Sequence, residues 1–79
     1  MNLQFKIIKI IAEALEVEEN QITEDTAIGD IPEWNSLGHV MIISSLEKEF
    51  TITFEPEMIM DLEDVSDIIA AIEDRLKNN

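Results

Sequence analysis

The sequence predicts an all-α fold, a small bundle of three main helices and one short helix with a long first loop. Apolar residues recur at three- and four-residue spacing in three separate segments, which is the pattern of helices with one buried face. No two segments alternate in the way that paired strands would require. A chain of 79 residues is expected to fold as one domain, residues 1–79.

The first helix is predicted from about Leu3 to Leu15, where one face is apolar through Leu3, Ile7, Ile8, Ile11 and Leu15. From Glu16 to Asn35 this period is lost. A loop of this length in a small domain needs anchors in the core, or a function. We expect its apolar residues to be those anchors: Val17, Ile22, Ile28, Ile31 and Trp34.

The second helix is predicted from about Ser36 to Phe50, because Pro32 stops any earlier helix and Asn35 is a favoured N-cap. Its buried face would comprise Ile42, Ile43, Leu46 and Phe50, a stripe that reaches back to His39 at the same spacing. Gly38 costs up to about 1 kcal/mol relative to alanine inside a helix. We therefore expect something other than helix propensity to favour a small residue at position 38.

The rest of the chain predicts a loop and two helices. Thr51–Phe54 has strand-like composition but no partner strand, so we interpret it as a loop. Pro56 suits the first turn of a short helix through Leu62. The last helix would be capped by Asp64 and carries an apolar face at helical spacing: Val65, Ile68, Ile69, Ile72 and Leu76.

The composition restricts the possible partners. Eighteen acidic and five basic residues give a formal charge of -13, which disfavours nucleic acid and anionic lipid and favours partners with a basic patch. Without cysteine, any thioester on this chain must use a borrowed thiol. The sequence contains no apolar run of membrane-spanning length and no signal-peptide pattern, so we expect a cytoplasmic protein without membrane insertion.

Two kinds of chemistry fit the sequence poorly. Ser36 and His39 lie three positions apart and could pair as nucleophile and base, but no third residue is evident to orient the imidazole. We expect His39 to be a helix-rim residue packed by the loop. A calcium-binding loop also fails, since Ala27 and Gly29 occupy ligand positions; we expect no metal site.

The segment Trp34, Asn35, Ser36, Leu37, Gly38, His39, Val40 resembles the attachment motif of acyl and peptidyl carrier proteins, whose core is aspartate, serine, leucine. The length, the acidity, the long first loop and the run from Leu46 to Phe50 are also similar to that family. The resemblance covers nearly the whole chain and implies an acyl-carrier-like bundle.

The resemblance implies a carrier and not an enzyme. A phosphopantetheinyl transferase would attach phosphopantetheine from coenzyme A to Ser36, and the arm would hold an acyl or aminoacyl group as a thioester. Other partners would be a ligase, synthase or transferase with a basic docking patch, meeting a monomeric carrier. The implied docking residues are Asn35, Leu37, Val40, Met41, Ser44, Glu47 and Lys48. The interior that shelters cargo in some members would be lined by Ile42, Ile43, Leu46, Phe50, Ile59, Leu62, Ile68 and Ile72, which we interpret simply as core.

Asn35 departs from the family pattern, which usually has aspartate, so recognition by some transferases is in question while the helix cap is retained. Met41, Ser44 and Lys48 give the second helix a less acidic face than carriers of general fatty acid synthesis usually have, which favours a specialised pathway. The pathway itself, whether fatty acid, polyketide or peptide assembly, is not resolved by the sequence. The alternative function is an acidic helical interaction module that is never modified.

Overall fold

The computed structural model describes residues 2–77 and is helical, as predicted. Its α-helices are α1 (Leu3–Leu15), α2 (Ser36–Phe50), α3 (Pro56–Asp61) and α4 (Val65–Lys77). A 3-10 turn at Glu19–Gln21, which the sequence analysis did not predict, follows α1. The described residues form no strand, and their one β-bridge pairs Ala27 with Asp64. The prediction of three main helices and a short one is confirmed.

The helix ends follow from local side chains. The Asn2 side chain accepts a hydrogen bond from the Gln4 amide at 2.9 Å, and Asp64 Oδ1 accepts from the Asp67 amide at 2.8 Å, so both helices have an N-cap. Glu16 and Thr51 end α1 and α2 in the left-handed conformation, with φ of 59° and 55°. Their own amides then bind carbonyls in the last turn of each helix.

The core is formed by three helices and by buried residues of the connecting segments, among them Ile22, Trp34 and Phe54. Its largest fully buried side chains are Trp34, Ile7, Ile11, Ile42, Leu46, Ile68, Ile72 and Val65, contributed by α1, α2, α4 and the first loop. By contrast, α3 contributes no buried residue, although Met58 and Ile59 are half-buried against the core. The short helix is therefore the least firmly packed of the four.

The first loop is fixed to the bundle at several points. Ile22 and Trp34 are buried, as predicted. The Ile28 amide donates to the Glu63 carbonyl at 2.9 Å and the Val65 amide donates to the Thr26 carbonyl at 3.0 Å. The prediction that Ile28 anchors the loop is wrong, because these backbone bonds hold the segment while its side chain remains 38% exposed.

Three residues of the predicted apolar faces lie at the edge of the core: Leu3, Phe50 and Leu76. Leu76 is exposed, because the last turn of α4 reaches the end of the bundle, where it borders Leu3 in a shallow groove. Phe50 is half-buried, and the Lys6 ammonium lies 5.2 Å from its ring centroid. Within residues 2–77, no helix combines the length and apolarity needed to cross a membrane.

Candidate functional site

Ser36 is the first residue of α2, and its side chain is exposed. The preceding residue fixes this helix start: Asn35 Oδ1 accepts from the Gly38 amide at 2.9 Å, and the Asn35 carbonyl accepts from the His39 amide at 2.8 Å. The Ser36 and Leu37 amides precede the first bond of the helix, so no carbonyl within it pairs with them. This end of the helix dipole favours an anion, such as a phosphodiester on the Ser36 hydroxyl.

Gly38 allows the first loop to pack directly on α2. A Cβ atom at this position would lie 2.3 Å from the Glu33 carbonyl oxygen and 2.9 Å from Leu15 Cδ2. Both distances are far below van der Waals contact, so any side chain would displace the loop backbone. The expectation that something beyond propensity favours a small residue here is confirmed, and this contact fixes the approach of the chain to Ser36.

His39 is buried and binds two other parts of the structure. The Trp34 indole Nε1–H donates to His39 Nδ1 at 3.1 Å, while His39 Nε2 lies 3.0 Å from the Ile59 carbonyl oxygen. Because Nδ1 accepts, the ring proton is on Nε2 and is donated to Ile59. The two rings are stacked, with centroids 6.1 Å apart.

This geometry revises the expectation for His39 and removes the hydrolase alternative. The loop does pack on His39, but the residue lies in the interior and not at the helix rim, because its polar atoms have buried partners there. A general base needs a free ring nitrogen directed at the nucleophile. Both ring nitrogens of His39 are engaged in hydrogen bonds, so the ring cannot accept the proton of the Ser36 hydroxyl.

A groove of about 370 Å³ opens beside Ser36, between α2 and α3. Its walls are largely apolar, and they are formed by Ile28, Ser36, His39, Val40, Ile59, Met60, Leu62 and Glu63. Sequence reasoning missed the contributions of Ile28 and Met60. Met60 is 80% exposed, and it directly follows the two half-buried residues of α3. A helix this short has too few residues for its spacing to show which side chains are exposed. An exposed hydroxyl next to an open apolar groove fits a long flexible prosthetic arm.

The predicted docking residues differ in exposure and in the part of the surface that they border. Leu37, Val40 and Met41 are exposed apolar residues next to Ser36, and Asn35 and Ser44 are exposed polar ones. Glu47 differs from the expectation: it is half-buried, because its Oε2 accepts from the Phe54 amide at 2.7 Å and holds the loop after α2. Lys48 is exposed but borders a second groove, toward Ile10, Glu13 and Ala14 of α1.

The residues predicted to line the interior lie in the common core. Ile42, Ile43, Leu46, Leu62, Ile68 and Ile72 are buried, while Phe50 and Ile59 are half-buried against them. This placement agrees with interpreting them as core residues. In the described part of the chain, no three histidine or carboxylate side chains are grouped so that they could hold a metal ion.

Comparison with known proteins adds three similarities. The family model described as "Phosphopantetheine attachment site" matches residues 6–72. An acyl carrier protein of Porphyromonas gingivalis is 28% identical over 72 residues, which is 91% of this chain and 92% of that protein. An acyl carrier protein of Thermotoga maritima is 32% identical over 71 residues, 90% and 88% of the two chains.

The fold agrees with a solved structure as well. The solution structure of the holo acyl carrier protein from Geobacter metallireducens superimposes with a TM-score of 0.85 and 26% sequence identity. The match covers 99% of this chain and 90% of that one.

Proposed function

The chain belongs to the phosphopantetheine attachment family, and on this premise we propose that the Ser36 hydroxyl bears the phosphopantetheine arm. The protein is an acyl carrier and not an enzyme. The arm supplies the thiol that holds an acyl group as a thioester, which a chain without cysteine cannot supply itself. The chain contributes the fold that holds and presents that arm.

The observation that carries the assignment is the exposed position of Ser36 at the start of α2, beside the apolar groove. The other serines lack this combination. Ser44 and Ser45 lie in the middle of α2, where the backbone amides are paired within the helix. The Ser66 hydroxyl donates to the Glu24 carbonyl at 3.0 Å and helps to hold the first loop. Ser36 is thus the serine best placed to accept a phosphodiester.

A carrier of this family interacts with a phosphopantetheinyl transferase and with synthases and transferases that use its cargo. The proposed docking face comprises Asn35, Leu37, Val40, Met41 and Ser44, which surround or follow Ser36 on the exposed side of α2. The acidic remainder of the surface would meet basic residues at the rim of the partner. We propose a single monomeric carrier domain acting in the cytoplasm, with an acyl or aminoacyl ligase among its partners.

The apolar character of the docking face supports a specialised pathway. Met41 and Ser44 carry no charge, and Lys48, one helical turn after Ser44, is positive. Partners that select a strongly acidic helix would dock poorly on this face, whereas a partner with an apolar patch would fit it.

The carrier function is tested with acyl-coenzyme A that is labelled in its acyl group, together with a broad-specificity phosphopantetheinyl transferase. We expect label on the wild-type chain and on Ser44→Ala, a matched change eight residues further along α2, but none on Ser36→Ala. Neutral hydroxylamine should release the label, because it cleaves thioesters. Absence of label under conditions that modify a control carrier would favour the unmodified interaction module instead.

A further inference from the structure

We propose that His39 is a positioning residue that holds α3 and the end of the first loop at fixed places on either side of Ser36. The ring lies one helical turn after Ser36 and binds both flanking segments, Trp34 on one side and Ile59 on the other. The positioning of α3 and the loop is argued from these two hydrogen bonds alone. Only its effect on the phosphopantetheine arm rests on the proposed function.

Apart from His39, α3 is held mainly by the buried residues at its two ends, Phe54 before it and Leu62 after it. The helix has six residues, none of them buried, and Met58 and Ile59 cover the core only in part. A helix this short is not stable by itself, so tertiary contacts must set its position. Each contact to the bundle therefore has a large share in holding α3.

His39 satisfies a carbonyl at the C-terminal end of α3. In a longer helix the Ile59 carbonyl would accept from the Glu63 amide, but that amide donates to Asp67 Oδ2 at 3.2 Å. The Leu62 amide approaches the Ile59 carbonyl at 3.3 Å, which is longer than the 3.0 Å to His39 Nε2. An imidazole N–H from α2 thus caps the last turn of α3.

The hydrogen bond from Trp34 determines which ring nitrogen of His39 donates to the Ile59 carbonyl. Because the indole N–H can only donate, it requires His39 Nδ1 to be the acceptor and places the ring proton on Nε2, toward Ile59. The buried indole therefore fixes both the orientation and the tautomer of the ring. The loop, α2 and α3 are connected through a single side chain.

The consequence for the carrier concerns the groove beside Ser36. One wall is formed by Ile59 and Met60 of α3, and the opposite wall includes Val40 of α2. Displacement of α3 would change the width of this groove and the surface that a partner meets next to the arm. His39 thereby sets the geometry in which a group on Ser36 is presented.

Two conservative variants separate the two bonds. His39→Gln keeps an amide donor at the reach of Nε2 and loses the acceptor for Trp34, while His39→Asn keeps an acceptor near Nδ1 and loses the reach to Ile59. Hydrogen exchange of the α3 backbone amides and of the Trp34 indole N–H is followed by NMR in each. Glu73→Gln, an exposed change on α4 outside the proposed docking face, is the control.

In His39→Asn we expect the α3 amides to exchange about fivefold to tenfold faster than in the wild type, the effect of one partly buried hydrogen bond, with the indole still protected. In His39→Gln we expect the Trp34 indole N–H to exchange faster, while the α3 amides keep their wild-type protection. A general loss of core packing would accelerate exchange everywhere in both variants, and that result would overturn the proposal. Unchanged α3 exchange in His39→Asn would overturn it as well. If His39→Asn does not fold, the His39→Gln pattern alone decides, since a merely structural residue would not spare α3.

The effect on the carrier is measured as the KM and kcat of arm transfer to Ser36. We expect His39→Asn to raise KM about fivefold with kcat within twofold of wild type, and His39→Gln to stay near wild type. An equal KM in both variants would show that α3 does not influence presentation. If the wild type is not modified at all, the proposed function fails, whereas the exchange pattern still tests the role of His39.

Discussion

Asn35 caps α2 and at the same time replaces the aspartate that the attachment motif of carrier proteins usually has. Its Oδ1 accepts from the Gly38 amide, a bond that an aspartate carboxylate would also make. Exchanging the two residues should therefore leave the cap in place. It adds one negative charge directly before Ser36, where a transferase must approach.

We predict that Asn35→Asp speeds modification by transferases that read the aspartate. The position is exposed, so the gain is that of a surface ion pair, up to about 1 kcal/mol or about fivefold in kcat/KM. Thermal unfolding monitored by circular dichroism checks that the fold is unchanged. If the aspartate form reacts no faster with any of several transferases, the departure at this position has no functional meaning.

At Gly38, packing and helix propensity predict opposite changes in the free energy of unfolding. Alanine is the better helix former by about 1 kcal/mol. However, its Cβ would lie 2.3 Å from the Glu33 carbonyl oxygen, so the loop must move. We predict that Gly38→Ala lowers the free energy of unfolding by about 1–3 kcal/mol, as overpacking does.

Urea unfolding measures this effect, with Ser44→Ala on the exposed side of the same helix as the control. The control should change the free energy of unfolding by less than about 0.5 kcal/mol. Stabilisation by Gly38→Ala, as propensity alone would give, contradicts the packing described for the loop.

At the residue scale, the sequence showed which residues have a particular role more clearly than it showed the groups to which they bind. Ser36, Asn35 and Gly38 stand out because of residue type and their place at a helix start. The interior position of His39 could not be predicted, since its partner on α3 is 20 residues away and is a backbone carbonyl, which leaves no side-chain pattern. Glu47 was misjudged for the same reason, because it binds the Phe54 amide.

Among the elements, α2 has the largest role in the proposed function, since it carries Ser36 and the exposed apolar residues Leu37, Val40 and Met41. Leu37 is 69% exposed and Val40 55%, which is unusual for a helix whose other face lies in the core. Exposed apolar residues grouped in this way are typical of an interaction surface. The charge of this face should then determine which partners dock.

We predict that the wild-type protein supports elongation poorly in a reconstituted fatty acid synthesis assay, compared with a general carrier. The double variant Met41→Glu, Lys48→Glu should restore elongation, because it creates the acidic face that basic enzyme patches attract. Lys77→Glu in the last turn of α4, an exposed change of the same charge type that borders neither groove of α2, serves as the control. Comparable elongation by wild type and general carrier would refute the specialised-pathway proposal.

The elements also show where sequence patterns suffice. The helical spacing and the caps predicted α1, α2 and α4 almost to the residue, because each helix has a continuous buried face. The first loop was recognised as a loop, yet its bonds to Glu63, Val65 and Ser66 could not be predicted. Those bonds join backbone groups about 35 to 42 residues apart, and backbone pairing leaves no signature in residue type.

At the scale of the whole molecule, the proposed carrier is an acidic bundle that would present the group on Ser36 to its partners. The formal charge of -13 speeds encounter with basic surfaces, while the apolar groove beside Ser36 supplies contacts that act only at close range. The core is formed mainly by α1, α2, α4 and Trp34, so the position of α3, and with it the shape of the groove, depends on a few contacts such as the His39 bond to Ile59.

The central claim is that Ser36 alone bears the phosphopantetheine arm, and intact-mass measurement tests it most directly. The protein is incubated with coenzyme A and a broad-specificity transferase, beside Ser36→Ala and Ser44→Ala. We predict that wild type and Ser44→Ala each gain the mass of one phosphopantetheine group and that Ser36→Ala gains none. An unchanged wild-type mass, where a control carrier is fully modified, or a mass gain that persists in Ser36→Ala would contradict the claim.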